Sequence, residues 1–169
     1  MPSQRLILLR HAKSAWDDPE QRDHDRPLNA RGRAACDAIG DWLAMRGYLP
    51  AQVPCSTAAR TGETWERVSA RLPDSPDATY LPGLYHAEPH AIRAAIAQAV
   101  ATPLLVIGHN PGFGELAHRV VVTPPAHPKF GQYPTAATLV ADLSGEGWAE
   151  AINAPGTVVD FTVPRDLIG

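Results

Sequence analysis

Only two cysteines, Cys36 and Cys55, occur in 169 residues. That is too few for a disulfide framework or a cysteine metal cluster, and both read as free, partly buried thiols. Long apolar runs are missing as well. The longest span four to six residues, far short of a membrane crossing, and the N-terminus lacks the basic region and apolar stretch of a secretory signal. No block of Lys or Arg stands out. The net charge is -3, with both signs spread along the chain, so neither a nucleic-acid footprint nor a polybasic membrane surface is present. Metal-ligand spacing is also lacking: His86 and His90 are the only histidines four apart with a glutamate between them, and that Glu88 precedes a proline, unlike a zinc-binding helix. The expectation is a cytoplasmic protein with no metal or cofactor and no nucleic-acid or membrane partner.

What is present is 44% hydrophobic residues, enough for one compact domain over residues 1–169 with a sizeable core. Short apolar runs alternate with amphipathic helical patterns, the mark of a layered α/β domain. Leu6 to Leu9 is a first strand. Asn29 can cap a helix carrying Ala34, Ala35, Ala38, Ile39, Trp42 and Leu43 on one face, with Gly47 as a left-handed stop. "QVPCS" reads as a strand, and "AARTGETWERVSARL" as a helix burying Thr61, Trp65, Val68 and Leu72 and ended by Pro73. "ATYL" is a weak strand, "PHAIRAAIAQAV" a helix, "PLLVIG" a buried strand and "GFGELAHRVV" a helix. After the proline-rich loop "TPPAHPKFGQYP", the runs "AATLVADL", "WAEAI" and "TVVDFTV" are separated by "SGEG" and "NAPG" turns and read as added antiparallel strands.

Two strands end in a histidine: "RLILLRH" delivers Arg10 and His11, and "LLVIGH" delivers His109. In open α/β sheets ligands bind beyond the carboxyl ends of the strands, so these residues can meet in one crevice. Arg60 falls in the first turn of a helix that follows a strand, adding a guanidinium to an end already suited to anions. Two arginines with exposed backbone N–H groups can hold a dianionic phosphoryl group without a metal. The remaining histidines, His24, His86, His90, His118 and His127, read as structural or surface residues.

Taken together, "LLRHAKSAW", "RPLNARGRAA", "STAARTGETW" and "VIGHNPG" resemble, in order, the motifs of the histidine phosphatase superfamily, which includes phosphoglycerate mutases. The resemblance covers residues 5 to about 120, and the wording Arg-His-Ala-Lys-Ser and the small size are most similar to the bacterial phosphohistidine phosphatase branch. It implies a three-layer α/β/α sandwich of the phosphoglycerate mutase-like type, its sheet mostly parallel with antiparallel additions from the C-terminal third. It makes His11 the nucleophile, with Arg10, Arg60 and His109 on the phosphoryl oxygens and Ser14 as an extra contact. Where many relatives have a phosphate-touching asparagine this chain has Asp17, whose charge keeps it out of the phosphate shell.

The chemistry fits these residue types independently. A neutral imidazole attacks phosphorus in line and gives a phosphohistidine that water then opens. Arg10, Arg60 and a protonated His109 would stabilise charge on the equatorial oxygens. Expelling an alkoxide needs a general acid, and in the stretch "LYHAEPHA" Glu88 is the only carboxylate for that task, although it serves equally as the opening of the helix at Pro89. Phosphohistidine makes a smaller demand, and no sizeable lid fits between Arg60 and His109, so a phosphorylated protein side chain is the expected substrate. The alternatives are a small-molecule phosphomonoesterase of the same superfamily and, in another class, a phosphate-binding adaptor without turnover.

Overall fold

The computed structural model describes residues 2–168. Six strands form one sheet: β1 (Ser3–Arg10), β2 (Pro54–Ser56), β3 (Thr79–Leu81), β4 (Leu104–Gly108), β5 (Thr138–Ser144) and β6 (Thr157–Thr162). Their order is β3-β2-β4-β1-β5-β6. The pairings among β1 to β4 are parallel, whereas β5 runs antiparallel to both β1 and β6. This is the mostly parallel sheet with C-terminal antiparallel additions that the sequence predicts. β1 and β4 lie at its centre and are buried on both faces, which is why each reads as a continuous apolar run rather than an alternating one.

The period-two geometry of β1 divides the core into two layers. Leu6 and Leu8 face one cluster, with Ile92 and Ile96 of α3 (Pro89–Ala97), Phe113 and Leu116 of α4 (Gly112–Arg119), and Trp148. Ile7 and Leu9 face the other, with Ile39, Trp42 and Leu43 of α1 (Ala30–Arg46) and Trp65 and Val68 of α2 (Ala59–Ser69). Helices therefore cover both faces, giving three layers. α1 begins and ends where its caps predict: the Asn29 side chain accepts from the Gly32 N–H at 2.8 Å, and Gly47 takes the left-handed conformation at φ 74°.

Local differences from the sequence reading have local causes. Ala34 is exposed; Gly32, Cys36 and Gly40 complete the buried face of α1 instead. α2 ends at Ser69, ahead of Pro73. "WAEAI" is not a strand: Trp148–Ala151 is a single helical turn, α5. Its buried residues, Trp148, Ala151 and Ile152, recur at helical spacing, and the Trp148 indole N–H donates to the Ala101 carbonyl at 2.8 Å. A further short helix, α6 (Pro164–Ile168), follows β6. No described helix is long and apolar enough to cross a membrane.

Between β1 and α1 the chain leaves the sheet and returns: Ser14 bridges Leu28, and the Asn29 N–H donates to the Lys13 carbonyl at 3.0 Å. Gly32 presses on that same carbonyl so closely that a Cβ there would overlap it. Gly32→Ala should therefore destabilise the protein by about 1–3 kcal/mol, the usual range for overpacking. Gly62→Ala, whose Cβ would meet Tyr80 at an ordinary 3.6 Å, should be neutral or stabilising by up to about 1 kcal/mol from helix propensity. Urea denaturation of both variants checks the contrast.

Candidate active site

The register of β1 and β4 pairs Arg10 with Gly108, so the next residues, His11 and His109, leave adjacent parallel strands at the same level. Their ring centroids lie 5.3 Å apart, and the His11 N–H donates to the Gly108 carbonyl at 3.0 Å. The His11 ring is oriented by its own backbone: Nδ1 lies 2.7 Å from the Ala12 carbonyl. A carbonyl can only accept, so Nδ1 carries the proton and Nε2 keeps its lone pair. Nε2 of His109 shares a hydrogen bond with the Ser56 hydroxyl at 2.8 Å, and that oxygen also accepts from the Ala58 N–H at 3.4 Å. With the Ser56 hydroxyl donating, the His109 ring proton sits on Nδ1, which is buried and has no protein partner.

Both rings line a cavity of about 550 Å³, shared with Arg10, Arg26, Arg60 and Ser14. Four buried side-chain nitrogens lack a partner among the described residues: Nε of Arg10, Arg26 and Arg60, and Nδ1 of His109. The residues that carry them all line this cavity. The guanidiniums are held from behind. Arg10 donates to the Tyr133 carbonyl at 3.2 Å, Arg26 to Ser14 Oγ at 2.5 Å, and Arg60 to the Asp23 carbonyl at 2.8 Å. Asp23 is the only carboxylate in the lining among the described residues. Its side chain accepts from Arg26 at 2.9 Å, from Arg60 at 3.1 Å and from the Tyr85 hydroxyl. These bonds hold its carboxyl well below the usual range.

The cavity thus brings together Arg10, His11, Ser14, Arg60 and His109, five residues the sequence singles out. Glu88 is elsewhere: it opens α3 without capping it, is 77% exposed, and lines a neighbouring cavity beside His90. Asp17 is exposed and absent from the lining. Sequence reasoning missed Arg26, Asp23, His86 and Trp16. Arg26 had a signal, the Arg-Pro-Leu that leads into the Asn29 cap; its guanidinium lies 3.5 Å from the centre of the exposed Trp16 ring, a cation–π contact at the cavity mouth.

A family model for the histidine phosphatase superfamily (branch 1) matches residues 6–85. An uncharacterized Mycobacterium tuberculosis protein is 34% identical over 166 residues, covering 93% of this chain and 100% of the relative. An uncharacterized chloroplastic protein of Arabidopsis thaliana is 36% identical over 126 residues, 68% of this chain, and the chain spans only 58% of that relative's length. Among solved structures, a candidate phosphohistidine phosphatase SixA from Nakamurella multipartitia aligns with TM-score 0.78 at 30% identity, over 97% of this chain and 98% of that one. The protein histidine phosphatase SixA complexed with tungstate aligns with TM-score 0.73 at 25% identity, over 96% and 99%. The chain belongs to the histidine phosphatase superfamily. Family and neighbours together support a phosphatase.

In this member of the histidine phosphatase superfamily the segment Arg60-Thr61-Gly62-Glu63-Thr64 is a scaffold as well as a source of charge. The Thr64 hydroxyl accepts from the Ala12 N–H at 3.1 Å and fixes the residue after His11. Glu63 accepts from the Leu28 N–H at 2.9 Å and from Arg33 at 2.6 Å, tying down the loop that carries Arg26. The Thr61 hydroxyl donates to the Ser56 carbonyl at 2.7 Å, beside the partner of His109.

Burial and the surrounding guanidiniums push His11 down to about 3, against the opposing bond to Ala12. Burial, then His11 and Arg60, push His109 to about 2. In the free site both rings are therefore neutral, whereas the protonated His109 expected from the sequence belongs to the state with a phosphoryl group bound. The two folded-state values lie below the ordinary imidazole value of about 6.5, so the unfolded chain binds more protons in acid. Stability from these residues is complete above about pH 6.5 and is lost as pH falls toward the folded values. A ring-nitrogen NMR titration of the free protein should show both rings neutral from pH 8 to 5, with the His11 proton on Nδ1. A His11 midpoint near its ordinary value would contradict the assignment.

Proposed function

We propose that the protein is a metal-independent phosphatase that acts through a phosphorylated His11 and takes phosphohistidine on a protein as substrate. The observation that carries this reading is the free Nε2 lone pair of neutral His11 in a cavity lined by Arg10, Arg26, Arg60 and His109. In-line attack by Nε2 forms the enzyme's N–P bond as the substrate's bond to phosphorus breaks, and water then opens the phosphorylated His11. Charge spreads over the equatorial oxygens at the transition state. Arg10, Arg60 and His109 meet it, joined by Arg26 and the Ser14 hydroxyl, whose oxygen already accepts from Arg26 and whose proton is free to donate. Once a phosphoryl dianion is bound, its charge favours protonation of His109, which the empty field of guanidiniums opposes.

The leaving group points to phosphohistidine. A departing alkoxide needs an acid, yet the one carboxylate in the cavity, Asp23, is held ionised by Arg26, Arg60 and Tyr85, and Glu88 lies in the neighbouring cavity. The structurally similar SixA is a protein histidine phosphatase and was solved with tungstate, a tetrahedral oxyanion; the same anion should compete for this cavity.

A panel of a phosphohistidine peptide, an alkyl phosphate and an aryl phosphate, with chelator present, tests the reading. Phosphohistidine kcat/KM should exceed that for the alkyl phosphate by about a hundredfold or more, the scale of a missing general acid. Tungstate should inhibit competitively, and Glu88→Gln should change phosphohistidine turnover less than about tenfold. Faster hydrolysis of the alkyl phosphate, collapsing in Glu88→Gln, would make the protein a phosphomonoesterase instead; loss of activity in chelator would remove the metal-independent mechanism.

A further inference from the structure

His86 is the one ionisable side chain that belongs to both cavities, the main one and the neighbouring one of about 480 Å³. Its backbone is left-handed at φ 53°, a conformation uncommon for a residue with a Cβ and a frequent companion of functional sites. Its ring is anchored on two sides. Nε2 lies 3.3 Å from the Asp23 carboxylate, and the ring packs on Tyr85 at 4.1 Å between centroids. On the far side the His109 ring centroid is 5.7 Å away. Because Asp23 is held ionised by Arg26, Arg60 and Tyr85, it accepts from His86, which puts a proton on Nε2 and leaves Nδ1 for exchange. The His86 side chain is 58% exposed and so open to solvent.

An imidazole bonded to phosphorus through one ring nitrogen leaves as a neutral molecule only if the other nitrogen holds a proton. That second nitrogen lies across the ring from phosphorus, toward the mouth of any pocket that grips the phosphoryl group at its base. The base here is built from Arg10, Arg60 and the two buried histidines; the mouth on the Asp23 side is His86. No carboxylic acid is placed to give this proton, and imidazole is the side chain most often used as a general acid.

Resting on the phosphohistidine reading above, we infer that His86, oriented by Asp23, is the general acid that protonates the departing imidazole at the ring nitrogen remote from phosphorus. The His11 Nε2 lone pair forms the new N–P bond. The substrate's P–N bond breaks and its electron pair stays on the departing ring, while the remote nitrogen takes the proton from Nδ1 of the His86 imidazolium. The products are phosphorylated His11, a neutral imidazole and a neutral His86, which recovers its proton from solvent. His86 was assigned no chemistry from the sequence because nothing there places it opposite Asp23.

Two small substrates isolate the step. Phosphoimidazole needs the remote proton; its N-methylated counterpart, a phosphoimidazolium carrying a methyl group on the remote nitrogen, departs as neutral methylimidazole and needs none. kcat/KM for both is measured near neutral pH, where an ordinary imidazole still carries a proton part of the time, for wild type, His86→Gln and His86→Asn; asparagine tolerates the left-handed backbone. Both variants should lose about thirtyfold or more on phosphoimidazole, within reach of general-acid effects, and stay within about threefold of wild type on the methylated compound. Equal losses on both compounds, or no loss on either, would overturn the role of His86 while leaving the substrate reading intact. If wild type hydrolyses an aryl phosphate but neither imidazole compound, the substrate reading itself falls and the role of His86 with it.

Discussion

Three guanidinium groups, the Lys13 ammonium and three imidazoles share one cavity with a single carboxylate among the described residues, and the arrangement of the rest of the molecule follows from holding that excess charge in place. Like charges at close range repel, and burial strengthens the effect. The chain meets this by fixing each cation through backbone or buried groups: Arg10 by the Tyr133 carbonyl, Arg60 by the Asp23 carbonyl, Arg26 by Ser14. Tyr133 is itself clamped, its buried hydroxyl donating to the Leu8 carbonyl at 2.5 Å and accepting from the Leu139 N–H at 3.1 Å. Through it the proline-rich loop, β1 and β5 converge directly behind the site. Asp23 offsets part of the charge and, by the same bonds, aims two of the forks.

The same field decides the protonation of the histidines. A nucleophile must keep its lone pair, and an imidazole buried among arginines does so without a separate base. The bond from Nδ1 to Ala12 settles which nitrogen is free. Catalysis then consists mainly of positioning and preorganised charge, as phosphoryl transfer allows. Buried Cys36 and Cys55, pushed up to about 12 by desolvation, stand apart from this chemistry as packing residues.

Much of this was legible in the sequence, and what was not has a physical reason. β1 and β4 are readable because strands buried on both faces must be continuously apolar, and the histidines at their ends follow from the rule that ligands meet strand termini. α1 is readable because Asn29 and Gly47 are chemically specific caps. α5 was misread as a strand because a single turn is too short for helical periodicity to show. Arg26, Asp23, His86 and Trp16 sit on loops whose paths depend on long-range contacts, such as Glu63 with Leu28 and Tyr85 with Asp23, and no local pattern encodes those. Glu88 was the opposite case: a suitable residue type in a suitable stretch, turned into the neighbouring cavity by its place at the start of α3. The charge state of His109 depends on burial, which motif spacing does not report.

The central claim is that phosphate passes through His11, and the most direct measurement is the phosphoenzyme itself. Wild-type protein mixed with a labelled phosphohistidine peptide is quenched within a turnover into alkali, which preserves a phosphoramidate, and the label is mapped by proteolysis. The account predicts acid-labile, alkali-stable label on His11, and neither label nor turnover in His11→Asn. Turnover by the wild type without label, label on another residue, or substantial activity in His11→Asn would contradict it.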